Sequence, residues 1–455
     1  MMDKDTLRIS SSTLSSLCDE YRKHNRIDPE KFEKYQVKRG LRNADGSGVM
    51  AGLTRICNVH GYVMSEGEKT PVEGRLIYRG IDIQELVAGC TAENRFGYEE
   101  TAWLLLFGSL PTPGQLEKFS EILSAYRELP DYFAEDMIIK APSPNIMNKL
   151  ARSVLALYSY DSMPDDLSME NVLRQSIELI ARLPSIMAYA YQVKRRHYDR
   201  ESMYLHPNLP GLSTAQTILR TLRADAVYTE EEARLLDLCL MLHAEHGGGN
   251  NSTFAARVLT SSGTDTYSAI AAAIGSLKGP KHGGANIKVM EMLEYLKAGI
   301  RDWNDEDEVR AFLVRLINKQ EGDRSGLVYG MGHAVYTLSD PRAVILKRYA
   351  VDLAEQKGYG PEFRLLETVE RLTPGVFAEV KGGDKVMCAN VDMYSGLVYK
   401  SLGIHPDLYT PLFAVARMAG WCAHRVEELL TGGRIMRPAY KAIAEKQPYI
   451  PLAQR

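Results

Sequence analysis

The chain has 455 residues, 45% of them apolar and 25% charged, and its 55 basic and 58 acidic side chains leave a formal net charge of -3. This composition excludes a disordered chain, and the length predicts two or three domains with sizeable cores. The near balance of charge gives no global field for nucleic acid or an acidic membrane, so an anionic ligand must be held by a local cluster.

Residues 1–28 mix Asp3, Asp5, Asp19 and Glu20 with basic side chains and contain no apolar core segment, which argues against a secretory or organellar leader. The longest uncharged apolar runs, 102–107 and 269–277, fall far short of the roughly 20 residues a membrane-spanning helix needs. Cysteines 18, 57, 90, 239, 388 and 422 form no CxxC pair. The expectation is therefore a cytoplasmic protein without disulfides, which binds neither nucleic acid nor membrane.

Helical spacing dominates the chain. After a first helical window at 117–129, Val172, Leu173, Ile177, Ile180 and Leu183 form an i, i+4, i+7 stripe expected to stop at Pro184. Thr229 and Glu232 stand in capping-box spacing ahead of Leu235, Leu236, Cys239, Leu240 and Leu242, a helix expected to run out at Gly247, Gly248 and Gly249. Further windows follow at 287–297, 307–319, 342–357 and 411–431. Strand-like alternation is scarce, so the predicted fold is all-α.

Five polar segments interrupt these helices. His243 and His246 lie at i, i+3 on the end of an apolar helix, a spacing able to bind a metal or an anion. The plainer reading is one buried, hydrogen-bonded histidine and one on the surface. A zinc site needs a third ligand, and Glu245 is expected on a different helix face, so metal is the weaker functional option. His282 lies between Gly279, Pro280, Lys281 and Gly283, Gly284, just before a helix carrying Ile287, Met290, Leu293 and Leu296. Unpaired amides and the positive dipole end there disfavour an imidazolium, and a neutral imidazole is able to donate to a developing oxyanion.

Gly330, Met331 and Gly332 precede His333, a close-fitting loop, and Arg342 follows at the expected start of a helix. Its planar fork matches a carboxylate. Asp392 stands in the apolar run from Asn390 to Gly396, either as an N-cap or as a carboxylate made more basic by partial desolvation. Arg417 falls inside the apolar run Phe413, Ala414, Val415, Ala416, and Arg437 follows Ile435 and Met436; each calls for an anionic partner, from protein or ligand. His424 is a less telling histidine.

Taken together, the order of these motifs resembles the citrate synthase family. The resemblance runs from Tyr78, Arg79, Gly80 through Leu110, Pro111, Thr112 to Arg437, Pro438, and is strongest around His282, His333 and Asp392. It implies an all-α fold of two domains, a large one of residues 1–282 and 398–455 and a smaller mobile one of residues 283–397 that closes over the substrates. It implies condensation of acetyl-CoA with oxaloacetate and water to give citrate and CoA, with no cofactor or metal.

In that family's terms Asp392 is the base at the acetyl methyl group, His282 the donor to the enolate oxygen and His333 the donor to the ketone of oxaloacetate. His246, Arg342, Arg417 and Arg437 match carboxylate-binding positions, Arg437 reaching in from the second subunit of a homodimer. Gly330, Met331 and Gly332 would lie beside CoA. Lys281, Ala334 and the segment 143–148 depart from the family pattern, and Ala334 leaves the CoA phosphate contacts open. 2-Methylcitrate synthase, acting on propionyl-CoA, is the near alternative, because one methylene changes binding by only about 1 to 3 kcal/mol. A metal-dependent hydrolase built on His243, His246 and an acidic residue is the remote one, and a non-catalytic helical interaction protein a third.

Overall fold

Helices account for most of the secondary structure, as the apolar spacing predicts, and their boundaries follow local chemistry. The computed structural model describes residues 10–65, 68–383 and 386–454, and divides into a unit of Met1–Gly52 with Arg437–Arg455 and a unit of Leu53–Met436. In the first, a helix at Ser11–His24 is capped by the Ser10 hydroxyl, which accepts from the Thr13 amide at 3.1 Å. The side chains of residues 11–23 are exposed, with Leu14, Leu17 and Tyr21 on the surface of the unit. Residues 437–451 of the same unit have no regular secondary structure.

The second unit starts with a feature the sequence does not advertise. β1 (Cys57–Ser65) and β2 (Glu68–Tyr78) form an antiparallel hairpin that pairs Cys57 with Tyr78, and β3 (Ile81–Asp82) adds a short third strand. The register shifts between His60 and Tyr62, around Gly61. A Cβ at Gly61 would fall 2.7 Å from the Val335 carbonyl, and one at Gly74 would fall 2.0 Å from that of Ser339. These two glycines thus let the hairpin lie directly against residues 335–339.

The Met169–Lys194 helix continues through Pro184 instead of stopping there. Proline costs a helix interior roughly 3 kcal/mol. Beyond it, however, Ile186, Met187, Ala188, Ala190 and Val193 are all buried, and each large apolar side chain contributes about 1.5–3 kcal/mol. Burial therefore outweighs the lost hydrogen bond. Glu230–His243 begins at the capping box of Thr229 and Glu232 as expected, but ends at His243, leaving His246 on a loop and not on the helix. The other windows correspond to helices Pro113–Tyr126, Ala285–Gly299, Glu306–Ile317, Pro341–Gln356 and Tyr409–Leu430.

Tyr409–Leu430 is the axis of the core. It packs on Met169–Lys194, Glu230–His243 and Asn251–Thr260, and nearly all its side chains are buried, the polar Arg417, His424 and Arg425 included. Among the described residues no helix is long and apolar enough to cross a membrane.

Candidate active site

Two segments nearly sixty residues apart are zipped together by main-chain bonds. The Gly332 amide donates to the Cys388 carbonyl at 2.7 Å and the Asn390 amide to that of Gly330 at 2.8 Å, while Asn390 Nδ2 reaches the Gly332 oxygen at 2.8 Å. Gly330 and Gly332 adopt φ of 83° and 89°, and a Cβ at Gly330 would fall 2.9 Å from Met393 Cα. Only glycine fits such a turn and such an approach. The bridge brings the segment of His333 beside that of Asp392.

Asp340 fastens the same region. It caps the Pro341–Gln356 helix, accepts from Arg342 Nε at 3.0 Å and Nη2 at 2.7 Å, and accepts from the Val391 amide at 3.3 Å. Arg342 is buried and is already paired with a structural carboxylate, that of Asp340.

Arg417 differs. It is fully buried, its Nε donates to the His243 carbonyl at 2.6 Å, and neither Nη1 nor Nη2 has a partner. Phe413, one turn earlier, lies under the guanidinium with its centroid 4.7 Å away. Its ring also meets those of His243 at 4.7 Å and His282 at 6.4 Å. His246 is buried with Nε2 unpartnered, its ring 5.1 Å from that of His333 and 5.7 Å from that of Tyr336. Tyr336 in turn stacks on His333 at 4.6 Å and 27°.

His282 occupies the turn that leads into the Ala285–Gly299 helix, as the sequence predicts. Its Nε2 lies 3.0 Å from Ser252 Oγ, which accepts from Trp421 Nε1 at 3.1 Å and lies 2.9 Å from Asn250 Oδ1. The single serine proton thus serves either Asn250 or His282. When it turns to His282, the imidazole accepts at Nε2 and keeps its own proton on Nδ1.

Protonation states follow from burial and neighbours. Burial, followed by Arg417, lowers the His282 pKa to about 4, so the ring is neutral at physiological pH. The direction is the one expected for a helix start, but the leading cause is desolvation. Burial also holds His246 well below its ordinary value, with Arg342 and His333 adding to the effect. Asp392 moves the other way, raised by burial to about 6 against the pull of Arg342. It opens the Asp392–Ser401 helix, its amide donates to Asn390 Oδ1 at 3.0 Å, and its half-buried carboxylate caps nothing. His333 Nδ1 accepts from the amides of Val335 at 3.1 Å and Tyr336 at 3.2 Å, which leaves the ring proton of the neutral form on Nε2.

The structure therefore gathers His246, His282, Arg342 and Asp392 within electrostatic reach of Arg417, with His333 against His246. An unpaired buried cation with a basic carboxylate and neutral imidazoles around it suits a small dianion whose neighbour is to lose a proton. His243 takes the plainer role, with Nδ1 donating to the Cys239 carbonyl at 2.8 Å. Arg437 belongs to the other unit and is exposed there. Sequence reasoning missed Ser252, Trp421 and Tyr336. Ser252 follows two asparagines without any pattern of its own, while Tyr336 is signalled only by lying three residues after His333.

Among the described residues, no group of three or more His, Cys, Asp or Glu side chains is placed to hold a metal ion. The chain matches the family model described as citrate synthase, C-terminal domain, over residues 44–439. It is 35% identical over 420 residues to a citrate synthase of Synechocystis sp., covering 90% of this chain and 93% of that protein. It is 31% identical over 386 residues to a 2-methylcitrate synthase of Shewanella oneidensis, covering 84% and 92%. Among solved structures, the ternary complex of carboxymethyl coenzyme A and oxaloacetate with citrate synthase from Thermoplasma acidophilum superimposes with a TM-score of 0.73 at 26% identity, covering 92% of this chain and 99% of that one.

Proposed function

The chain belongs to the citrate synthase family of acyltransferases, and from that premise we propose that it condenses acetyl-CoA with oxaloacetate and water to give citrate and CoA. The observation that carries this reading is Arg417, a buried guanidinium with two free nitrogens in a site that also holds a raised carboxylate and neutral imidazoles. Leaving such a cation unpaired costs several kcal/mol, which a substrate carboxylate would offset.

In this reading Arg417, Arg342 and His246 Nε2 receive the carboxylates of oxaloacetate. Asp392 takes a proton from the methyl group of the thioester, and His282 Nδ1 stabilises the enolate oxygen while Ser252 supplies the bond to Nε2. The thioester methyl is so weak an acid that neither group suffices alone. His333, donating from Nε2, protonates the ketone oxygen as the carbon–carbon bond forms. Water then cleaves the citryl thioester.

Residues 283–397 would move as the smaller domain of the family, with Gly330, Met331 and Gly332 beside CoA, so that closure excludes water from the enolate. Arg437 would complete a partner subunit's site in a cytoplasmic homodimer. The reaction needs no cofactor or metal in this scheme.

The test is CoA release from acetyl-CoA with and without oxaloacetate. Release that depends on oxaloacetate is expected, and none at all would end the proposal. A second reading has support from the Shewanella relative: 2-methylcitrate synthesis from propionyl-CoA. Comparing kcat/KM for the two thioesters decides between them, with a preference for acetyl-CoA expected.

A further inference from the structure

Beneath the oxaloacetate subsite runs a buried polar chain with no part in the reaction as derived above. Glu245 and His424 are fully buried, and Glu245 Oε1 accepts from His424 Nε2 at 3.0 Å and from the Gly247 amide at 2.5 Å. On the other side of the imidazole, Nδ1 accepts from Arg257 Nε at 3.0 Å. Arg257 also donates to Glu428 at 2.6 Å and to Glu427.

Because arginine only donates, His424 Nδ1 must carry the lone pair and Nε2 the proton, which goes to Glu245. The imidazole is thus a neutral relay of one fixed tautomer. The surrounding backbone is fitted to it. A Cβ at Gly420 would fall 2.1 Å from Glu245 Oε2, and one at Gly248 would fall 3.4 Å from both Arg257 Nε and His424 Cε1. Residues 247 and 248 therefore lie directly on the relay, and His246, whose Nε2 faces the substrate in the proposed reading, is held between Glu245 and Gly247.

We propose that His424, working with Glu245 and Arg257, is a positioning residue for the oxaloacetate subsite that acts on His246 through the backbone of residues 245–248. The inference rests on the functional reading above. It requires a group at position 424 that accepts on one side and donates on the other. A carboxamide meets that requirement and an aliphatic side chain does not.

The test compares His424→Leu with His424→Gln, measuring oxaloacetate binding by calorimetry and both KM values by CoA release. His424→Leu should raise the oxaloacetate Kd and KM by at least about tenfold, with the acetyl-CoA KM and kcat within about threefold of the parent. His424→Gln should bring the oxaloacetate values back to within about threefold. Parental oxaloacetate affinity in His424→Leu, or equal losses in both variants when both are folded by circular dichroism, overturns the proposal. Should His424→Leu not fold, Gly420→Ala keeps the relay residues while its new methyl group presses on Glu245 and on the Ala244 carbonyl, and unchanged oxaloacetate affinity there overturns it as well. A parent protein that itself binds no oxaloacetate refutes the functional reading, and this inference with it, before any variant is compared.

Discussion

Arg417 donates its Nε–H to the main-chain oxygen of His243 over 2.6 Å, and the remaining two nitrogens of its buried guanidinium have no partner. Arg342, by contrast, is already satisfied by Asp340 on two of its nitrogens. Of these two arginines, Arg417 has the more to gain from a ligand. Arg417→Leu should therefore weaken oxaloacetate binding by about 100-fold or more, measured by calorimetry. Unaltered affinity would remove Arg417 from the carboxylate clamp.

Asp392→Asn should lower turnover by roughly 10² to 10⁴ while oxaloacetate still binds, because the general base is lost and the clamp is not. Near-parental turnover would strip Asp392 of its role. The same variant has a stability signature. The folded carboxyl titrates near 6 and an unperturbed one near 3.8, so the native state holds the proton more tightly and stability falls as pH rises between those values. Asp392→Asn should thus melt higher than the parent at pH 7 to 8, with the difference closing below about pH 4.

The pH dependence of kcat/KM for acetyl-CoA should show an acid limb centred near 6, the pKa to which Asp392 is raised. His282, with its pKa lowered to about 4, is neutral across that limb and adds no second inflection to it. A limb centred near the ordinary carboxylate value of 3.8 would mean that Asp392 is not the group being titrated.

His333 receives two main-chain amides at Nδ1, from Val335 and Tyr336. Nitrogen-15 spectra of histidine-labelled protein at pH 8 should accordingly show this ring as the Nε2–H tautomer. A proton on Nδ1 would contradict the arrangement and deprive the ketone of its donor.

Gly74→Ala puts a methyl group where the Ser339 carbonyl stands, 2.0 Å from the new Cβ. Neither backbone yields easily, so the variant should melt lower and bind oxaloacetate more weakly, since residues 333–342 carry both His333 and Arg342. Parental melting temperature and affinity together would show that the hairpin does not support that loop.

Much of this was legible in the sequence. The helices declared themselves through apolar spacing and caps, as at Thr229 and Glu232, and the chemistry-bearing residues stood out because each was polar in an apolar or glycine-rich setting. The hairpin escaped notice because Gly61 shifts its register and Gly74 and Pro71 break the alternation. Pro184 misled because burial beyond it is a tertiary effect that no local pattern carries. Glu245 is expected on a different helix face from His243 and His246, yet the helix ends at His243 and Glu245, beyond it, bonds to His424. Ser252 gave no sign, since its importance lies in two partners, His282 and Trp421, that are distant in sequence.

The helix Tyr409–Leu430 carries Phe413, Arg417, Gly420, Trp421 and His424 at intervals that keep them along a single stripe, which serves both the site and the relay beneath it. One inserted or deleted residue between them would swing everything downstream by about 100° about the helix axis. Descendants of this gene can exchange side chains along that stretch far more readily than they can change its length, so its residue count should prove the most stubborn measurement in the whole chain.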